Sequence, residues 1–492
     1  MGRVLDTLLA ALPVIAVGAA VASGLRATGA AVSGLLAVGV AVLLRYPLDV
    51  VAARADILRW LPLMIEILLI IGGGLVLAAL TTRTGSQQVL ARRLADAAGT
   101  PVVTVLLVVH GITPFAESVM GFGIGAMIGV PLLLHVGIPP ARAAIVSLLG
   151  LAAVPWGAMA PGILVAAGMT GLSFHELGVA SARLSLLPFV ICGIAGVLVA
   201  FGRATRGTWL VAAAGTGTVF CGGVIGANIV AGTPPAGALG ALVTILVVLA
   251  ARRLQHRVRG SARDDVTDGA TPGVEPGDRH RDVARAVLPY VVLLGGVLVA
   301  RAAVHSLPDE ALGRYVASPG LWLAVSCLTE YLLHRTELSR RTVREAGVAA
   351  WHSWRVVAPA TASFVLVGIL MVDAGMTTQI AAAATTIGPA YSFFAPALAG
   401  LGGFLTGSNA GANAMFAAPQ GQAAQALGKP VLDFVAMQNV GASLLTMASP
   451  GRVLLAVRMC PPGSTSMRTT TLALVAIDAL VIAALGVLTL AM

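Results

Sequence analysis

Stretches of about twenty apolar residues recur from one end of this chain to the other, the first over 8–25 and the last over 470–491. Each is long enough to cross about 30 Å of hydrocarbon as a helix. In lipid, backbone N–H and C=O groups must bond within their own segment or a closed barrel. A chain built of such stretches is therefore an all-α polytopic membrane protein. Composition agrees: 58% of residues are hydrophobic and 11% charged, against roughly 25% charged in a soluble domain. Aromatics are scarce at 5% while glycines number 58, which favours helices packed closely through small residues. We expect about 12–14 transmembrane helices, with the count between Arg203 and Arg252 left open.

The net charge of +10 does not point to nucleic acid, because the arginines fall mostly in short stretches between apolar runs. That is the bias of cytoplasmic loops. The one long polar insert, 252–285, mixes Arg252, Arg253, Arg257, Arg259, Arg263, Arg279, Arg281 and Arg285 with Asp264, Asp265, Asp268, Glu275, Asp278 and Asp282. It reads as a cytoplasmic linker between an N-terminal transmembrane half, 1–251, and a C-terminal one, 286–492. A second basic group, Arg335, Arg340, Arg341, Arg344 and Arg355, follows after two spans and returns the chain to the same side. The first apolar run lacks a convincing small-residue cleavage site and is expected to be a membrane helix.

The halves repeat. Gly85 and Gly375, Ser118 and Ser408, Gly121 and Gly411, and Pro140 and Pro430 are each 290 residues apart. The repeat cores run over about 57–167 and 350–456. The loop holding Arg83, Arg92 and Arg93 corresponds to a stretch, 373–389, without Arg or Lys. Opposite charge bias in equivalent loops predicts inverted repeats. In each repeat a Gly-rich run, 115–135 or 406–428, is expected to form a re-entrant hairpin. Prolines at Val154-Pro155-Trp156-Gly157, Ala160-Pro161-Gly162 and Ala448-Ser449-Pro450-Gly451 are expected to break helices. Inverted repeats with broken helices are a transporter architecture, with the site near the midplane where the halves meet.

Two segments carry the chemistry. In 113–125 a carboxylate, Glu117, stands among Pro114, Gly121, Gly123 and Gly125 inside an apolar environment. A charge there is costly unless paired or proton-bearing, so Glu117 is a candidate for carrying a proton; capping a helix end is its structural alternative. In 402–413, Thr406, Ser408, Asn409 and Asn413 offer hydroxyl and amide groups. The glycines beside them let backbone N–H groups approach a ligand. A helix starting here would aim its positive end at an anion; simple capping is again the alternative. Substrate contacts are expected from Ser118, Gly121, Phe122, Gly123, Thr406, Ser408, Asn409, Asn413 and Gln438, with Asn439 beside the last. Glu66, in mid-span, is a second proton candidate, or a protonated partner in an interhelical hydrogen bond. His110, Glu330 and Asp373 lie near span ends, where interfacial placement is expected.

Other chemistries find no support in the sequence. A phosphate-binding G-x-x-x-x-G-K-[ST] motif is absent in a chain whose only lysine is Lys429, which speaks against ATP-driven transport. The four cysteines lie far apart, the histidines lack metal-ligand spacing, and no nucleophile with a base and orienting acid stands out. Neither a cofactor nor a metal nor an enzymatic activity is expected.

At the two glycine-rich segments the sequence resembles the lactate permease family, bacterial transporters of lactate and glycolate coupled to protons. Phe115-Ala116-Glu117-Ser118-Val119-Met120-Gly121-Phe122-Gly123 resembles the family's Phe-x-Glu-Gly-x-x-Gly-Phe-Gly. Pro155-Trp156-Gly157-Ala158-Met159 is similar to a shortened Pro-x-x-Phe-Gly-Ala-x-Gly. Gly402-Gly403-Phe404-Leu405-Thr406-Gly407-Ser408-Asn409, with Asn413, is similar to Gly-Ser-Phe-x-x-Gly-Ser-Asn-x-x-x-Asn. The resemblance covers about 50–460. It departs at Ser118, where the family has Gly, at Ile124-Gly125 in place of Ala-Pro, and at Ala410 in place of a frequent Thr.

The resemblance implies a multi-pass transporter of the bacterial plasma membrane that moves by an elevator-like shift. It implies symport of a small 2-hydroxy-monocarboxylate, lactate- or glycolate-like, with a proton. Another organic anion, with Na⁺ as the coupling ion, is the alternative within transport; a non-transporting scaffold or sensor subunit is the alternative outside it. The expected partners are the small organic monocarboxylate with its proton, the lipid bilayer and, as one option, a second copy in a homodimer; nucleic acid is not expected.

Overall fold

The computed structural model describes residues 2–260, 276–303, 313 and 315–492, and no strand occurs among the described residues. Eleven of the described helices are long and apolar enough to cross a membrane, or thirteen if two bent pairs each count as a span. That meets the count expected from the apolar runs. In water such helices would bury their apolar faces; here large apolar side chains point outward, with Leu43 and Val230 87% and 88% exposed. The interior is filled with Ala, Gly and small polar residues, as close helix contacts in lipid require.

Helices α1 (Gly2–Ala22) and α2 (Ala27–Leu44) form an outlying pair. The first repeat begins with α3 (Val50–Thr84) and α4 (Ser86–Ala98). Next, α5 (Pro101–Leu107) passes through a π-helical turn, Val108–Ile112, into α6 (Thr113–Met120), and α7 (Ile124–His135) returns. Helix α8 (Pro140–Leu149) runs into a 3₁₀ stretch, Gly150–Met159, and then α9 (Pro161–Thr170). Between the repeats stand α10 (Phe174–Leu184), α11 (Leu186–Phe201), α12 (Gly207–Ala231), α13 (Thr233–Gly260), α14 (Pro276–Ala303) and α15 (Pro319–His334). Two helices joined at Gly232 thus account for the stretch between Arg203 and Arg252. Helices α13 and α14 extend into both ends of the expected linker; its middle, 261–275, lies outside the described residues.

The second repeat follows the same order: α16 (Arg340–Asp373), α17 (Met376–Thr386), α18 (Tyr391–Thr406), α19 (Asn409–Ala426), α20 (Val431–Met447) and α21 (Pro450–Arg458), before a final α22 (Met467–Ala491). The shared joints are physical. Gly85 and Gly375 both take left-handed backbone, φ 81° and 74°, where the long first helix gives way to the short second one. Only glycine adopts that region without strain.

Equivalent helices α3 and α16 lie side by side and run in opposite directions. Arg83, at the end of α3, pairs with Glu345, near the start of α16. Further along, Trp354 Nε1 donates to the Leu68 carbonyl at 3.1 Å. An antiparallel match of equivalent helices makes the repeats inverted. Each hairpin is longer than its Gly-rich run: the first spans α5 to α7 with its tip at 121–123, the second α18 to α19 with its tip at 407–408. The runs 115–135 and 406–428 captured the tips and second arms. Each first arm is apolar enough to pass for a separate span.

Candidate functional site

Both hairpins and both broken helices start a new helix at one place. The first tip turns through three residues with positive φ, Gly121 (73°), Phe122 (58°) and Gly123 (85°), and α7 begins. A Cβ at Gly121 would stand 2.7 Å from the Ala158 Cβ, so the tip also needs glycine for space. The second tip turns at Gly407, φ 61°. Ser408 then caps α19, its Oγ accepting the Gly411 N–H at 3.3 Å. Thr406 supports the turn by accepting the Ser408 N–H at 3.2 Å. Beyond α8, Ala158, Met159 and Ala160 carry φ of 39°, 64° and 72° before Pro161 opens α9. Helix α20 bends by 43° into α21 at Pro450. Proline suits both starts, since a first helical residue needs no N–H partner.

Residues from these four starts, with Glu117 of α6, Ile71 of α3 and Thr361 of α16, line a cavity of about 40 Å³. That is room for a few water molecules. Helix N-termini carry partial positive charge and unpaired N–H groups, so their convergence favours an anion. Among the described residues, the N–H groups of Asn409 and Ala410 have no acceptor, and both residues line the cavity.

The cavity holds a buried ion pair. Arg452, in the first turn of α21, donates from Nη1 to Glu117 Oε1 at 2.5 Å; the side chains are 9% and 1% exposed. Glu117 Oε2 accepts the Gly123 N–H of its own tip at 2.9 Å. The carboxylate thus closes the first tip while holding a guanidinium from the other half of the chain. The other N–H groups of Arg452 find no acceptor among the described residues, and Arg452 lines the cavity. A guanidinium with spare donors beside two free backbone N–H groups is chemically suited to a carboxylate.

Behind the cavity lies a buried amide network. Asn413 Nδ2 meets the Gly162 carbonyl at 3.0 Å, Asn409 Oδ1 at 2.7 Å and Asn439 Oδ1 at 2.9 Å. Asn409 donates to the Asn439 carbonyl, and Asn439 to Ser181 Oγ, both at 2.9 Å. Gln438 Nε2 reaches Asn413 Oδ1 at 3.5 Å. These bonds tie α9 and α10 to α19 and α20, joining the two halves around the tips. Replacing Asn413 by Leu leaves buried acceptors without donors, at about 1–3 kcal/mol each. We expect a lower unfolding midpoint for the purified Asn413→Leu variant by circular dichroism; an unchanged midpoint would show the network to be dispensable.

The structure sorts the residues expected from sequence. Glu117, Gly121, Phe122, Ser408 and Asn409 line the cavity. Gly123 contributes its N–H to Glu117, and Thr406 supports the second tip from beneath. Asn413 and Gln438 stand one layer behind. Ser118 is fully buried, and its Oγ has no partner among the described residues; a Cβ on Gly237 of α13 would lie 2.5 Å from that oxygen. It therefore faces α13 rather than the cavity. Glu66 is half-buried on α3 and is not among the residues lining the cavity, to which α3 presents Ile71. Two of the groups expected near span ends are enclosed by protein. His110 is 1% exposed and bridges the Phe189 carbonyl and Thr216 Oγ1. Glu330 is wholly buried and accepts the hydroxyls of Thr84 and Ser86.

Arg452 was missed in sequence. It sits in an apolar run, two residues after Pro450. The available signal was its position straight after a predicted helix break, which matches the Pro161-Gly162 break of the first half.

A sequence profile described as L-lactate permease matches residues 6–318 and 314–464. The chain belongs to the L-lactate permease family. An L-lactate permease from Streptococcus iniae is 25% identical over 373 residues, 71% of this chain and 75% of that protein. An L-lactate permease from Escherichia coli strain K12 is 42% identical over 82 residues, 17% of this chain and 15% of that protein. Among solved structures, the YdaH transporter of Alcanivorax borkumensis is similar at a TM-score of 0.43 and 14% identity, with 89% of each chain covered. Lactate permease family proteins are membrane transporters, so this multi-pass bacterial membrane protein is a transporter and not an enzyme.

Proposed function

We propose that this permease carries L-lactate, or a short 2-hydroxy-monocarboxylate like it, across the plasma membrane together with a proton. The carrying observation is the convergence of four helix starts on a cavity that holds Arg452 and Glu117. In this reading the substrate carboxylate lies against the Arg452 guanidinium and the N–H groups of Asn409 and Ala410. Ser408 and Thr361 offer hydroxyls for the 2-hydroxyl group. Glu117 is the proton site. The amide network of Asn409, Asn413, Gln438 and Asn439 holds the second tip in register, and Ser118 and Glu66 play no direct part.

A monoanion moving with one proton carries no net charge. In proteoliposomes, labelled L-lactate should accumulate when the outside is made acidic. An imposed membrane potential, or choline in place of Na⁺, should leave that accumulation unchanged. Uptake that ignores the pH gradient and follows Na⁺ would overturn the proton assignment. Absence of saturable counterflow by the purified protein would overturn transport of this substrate.

A further inference from the structure

We propose that Glu117 and the substrate carboxylate take turns on the same guanidinium, so that a proton on Glu117 is the condition for an anion to bind. The inference rests on the transport reading above and adds the mechanism of coupling. Three observations support it. Among the described residues, Arg452 and Glu117 are the only ionisable ones lining the cavity. The surrounding elements present Ile71 of α3, Gly157, Gly162 of α9, Thr361 of α16 and Asn409 of α19, so among the described residues no other charge lines the cavity to neutralise either group. With the pair closed at 2.5 Å, the space of about 40 Å³ suits a few waters rather than a hydroxy acid.

The charges balance at each step. In the closed pair, Glu117 carries −1 and Arg452 +1. A proton binds one Glu117 carboxylate oxygen, which releases the guanidinium; an incoming carboxylate then takes its place. Glu117 is now neutral, Arg452 +1 and the substrate −1. The site is neutral before and after. The two off-pathway states are not: an anion added beside ionised Glu117 leaves −1, and protonated Glu117 without an anion leaves +1. A net charge in a buried site is strongly disfavoured. Leak of either ion alone is suppressed by the same physics, and one proton moves per anion.

The test measures L-lactate binding to purified protein from pH 5 to 9. For the native protein, apparent affinity should fall about tenfold per pH unit on the alkaline side of its transition. In weakly buffered alkaline solution with a pH dye, about one proton should be taken up per lactate bound. Glu117→Gln, which mimics the protonated acid, should bind lactate with an affinity that does not change with pH, and in proteoliposomes should lose accumulation driven by the pH gradient. A folded Glu117→Gln protein that keeps the native pH slope overturns the exchange. If that variant does not fold, lactate binding to the native protein without proton uptake overturns it equally. A native protein that does not bind lactate at any pH fails the substrate assignment instead.

Discussion

Arg452→Ala should cost this permease both stability and substrate. Removing the guanidinium leaves Glu117 buried without its counter-charge, and breaking such a pair from one side costs about 3–5 kcal/mol. The carboxylate of lactate loses the same partner, which for a buried charge-assisted contact is worth about 2–5 kcal/mol, or about thirty-fold to several thousand-fold in affinity. The two losses are separable. Combining Arg452→Ala with Glu117→Gln removes the stranded carboxylate and should recover most of the unfolding midpoint, while binding stays lost. Arg452→Lys keeps the charge without the planar fork and should fall between. Equilibrium binding and thermal unfolding of the four proteins decide the matter; native affinity in Arg452→Ala would remove this residue from the site.

Gly403→Ala should be as damaging without touching the cavity. A Cβ there would lie 1.9 Å from the Ala442 carbonyl oxygen and 2.8 Å from its carbon. The obstacle is backbone, so α18 and α20 must separate. Overpacking of this kind costs about 3 kcal/mol or more. Gly347, on the exposed start of α16, has no atom within 4 Å of its would-be Cβ. Gly347→Ala should be neutral or stabilising by up to about 1 kcal/mol through helix propensity. Thermal unfolding of the two variants side by side tests whether backbone contact, rather than glycine content, holds the helices together.

Much of this arrangement was legible in sequence because lipid imposes a simple rule. Long apolar runs mark spans, and the few polar groups at depth mark the site. The glycine and proline joints repeat at a fixed offset because the backbone needs them at the same turns in both halves. What could not be read is what depends on rotation and on distance. Glu117 and Ser118 are neighbours in sequence, but consecutive helical positions differ by about 100° around the axis. Facing one residue to the cavity sends the other toward α13. The partner of Glu117 lies 335 residues away in sequence, and no local pattern links an acid at a hairpin tip to an arginine after a distant proline. Glu66 sat in an apolar run like Glu117, but α3 turns Ile71, not Glu66, to the cavity.

Aligned at the 290-residue offset, Glu117 falls on Gly407 and Arg452 on Gly162. The repeat relation between the halves is therefore broken at the charges. Two identical unfused halves, assembled as a homodimer, would supply any acid or base twice, and a symmetric centre would count in pairs. A single polypeptide can diverge on each side independently, placing one acid in the first half and one base in the second. An odd number of charged groups, as the proposed coupling of one proton to one anion requires, is open only to halves that differ in this way.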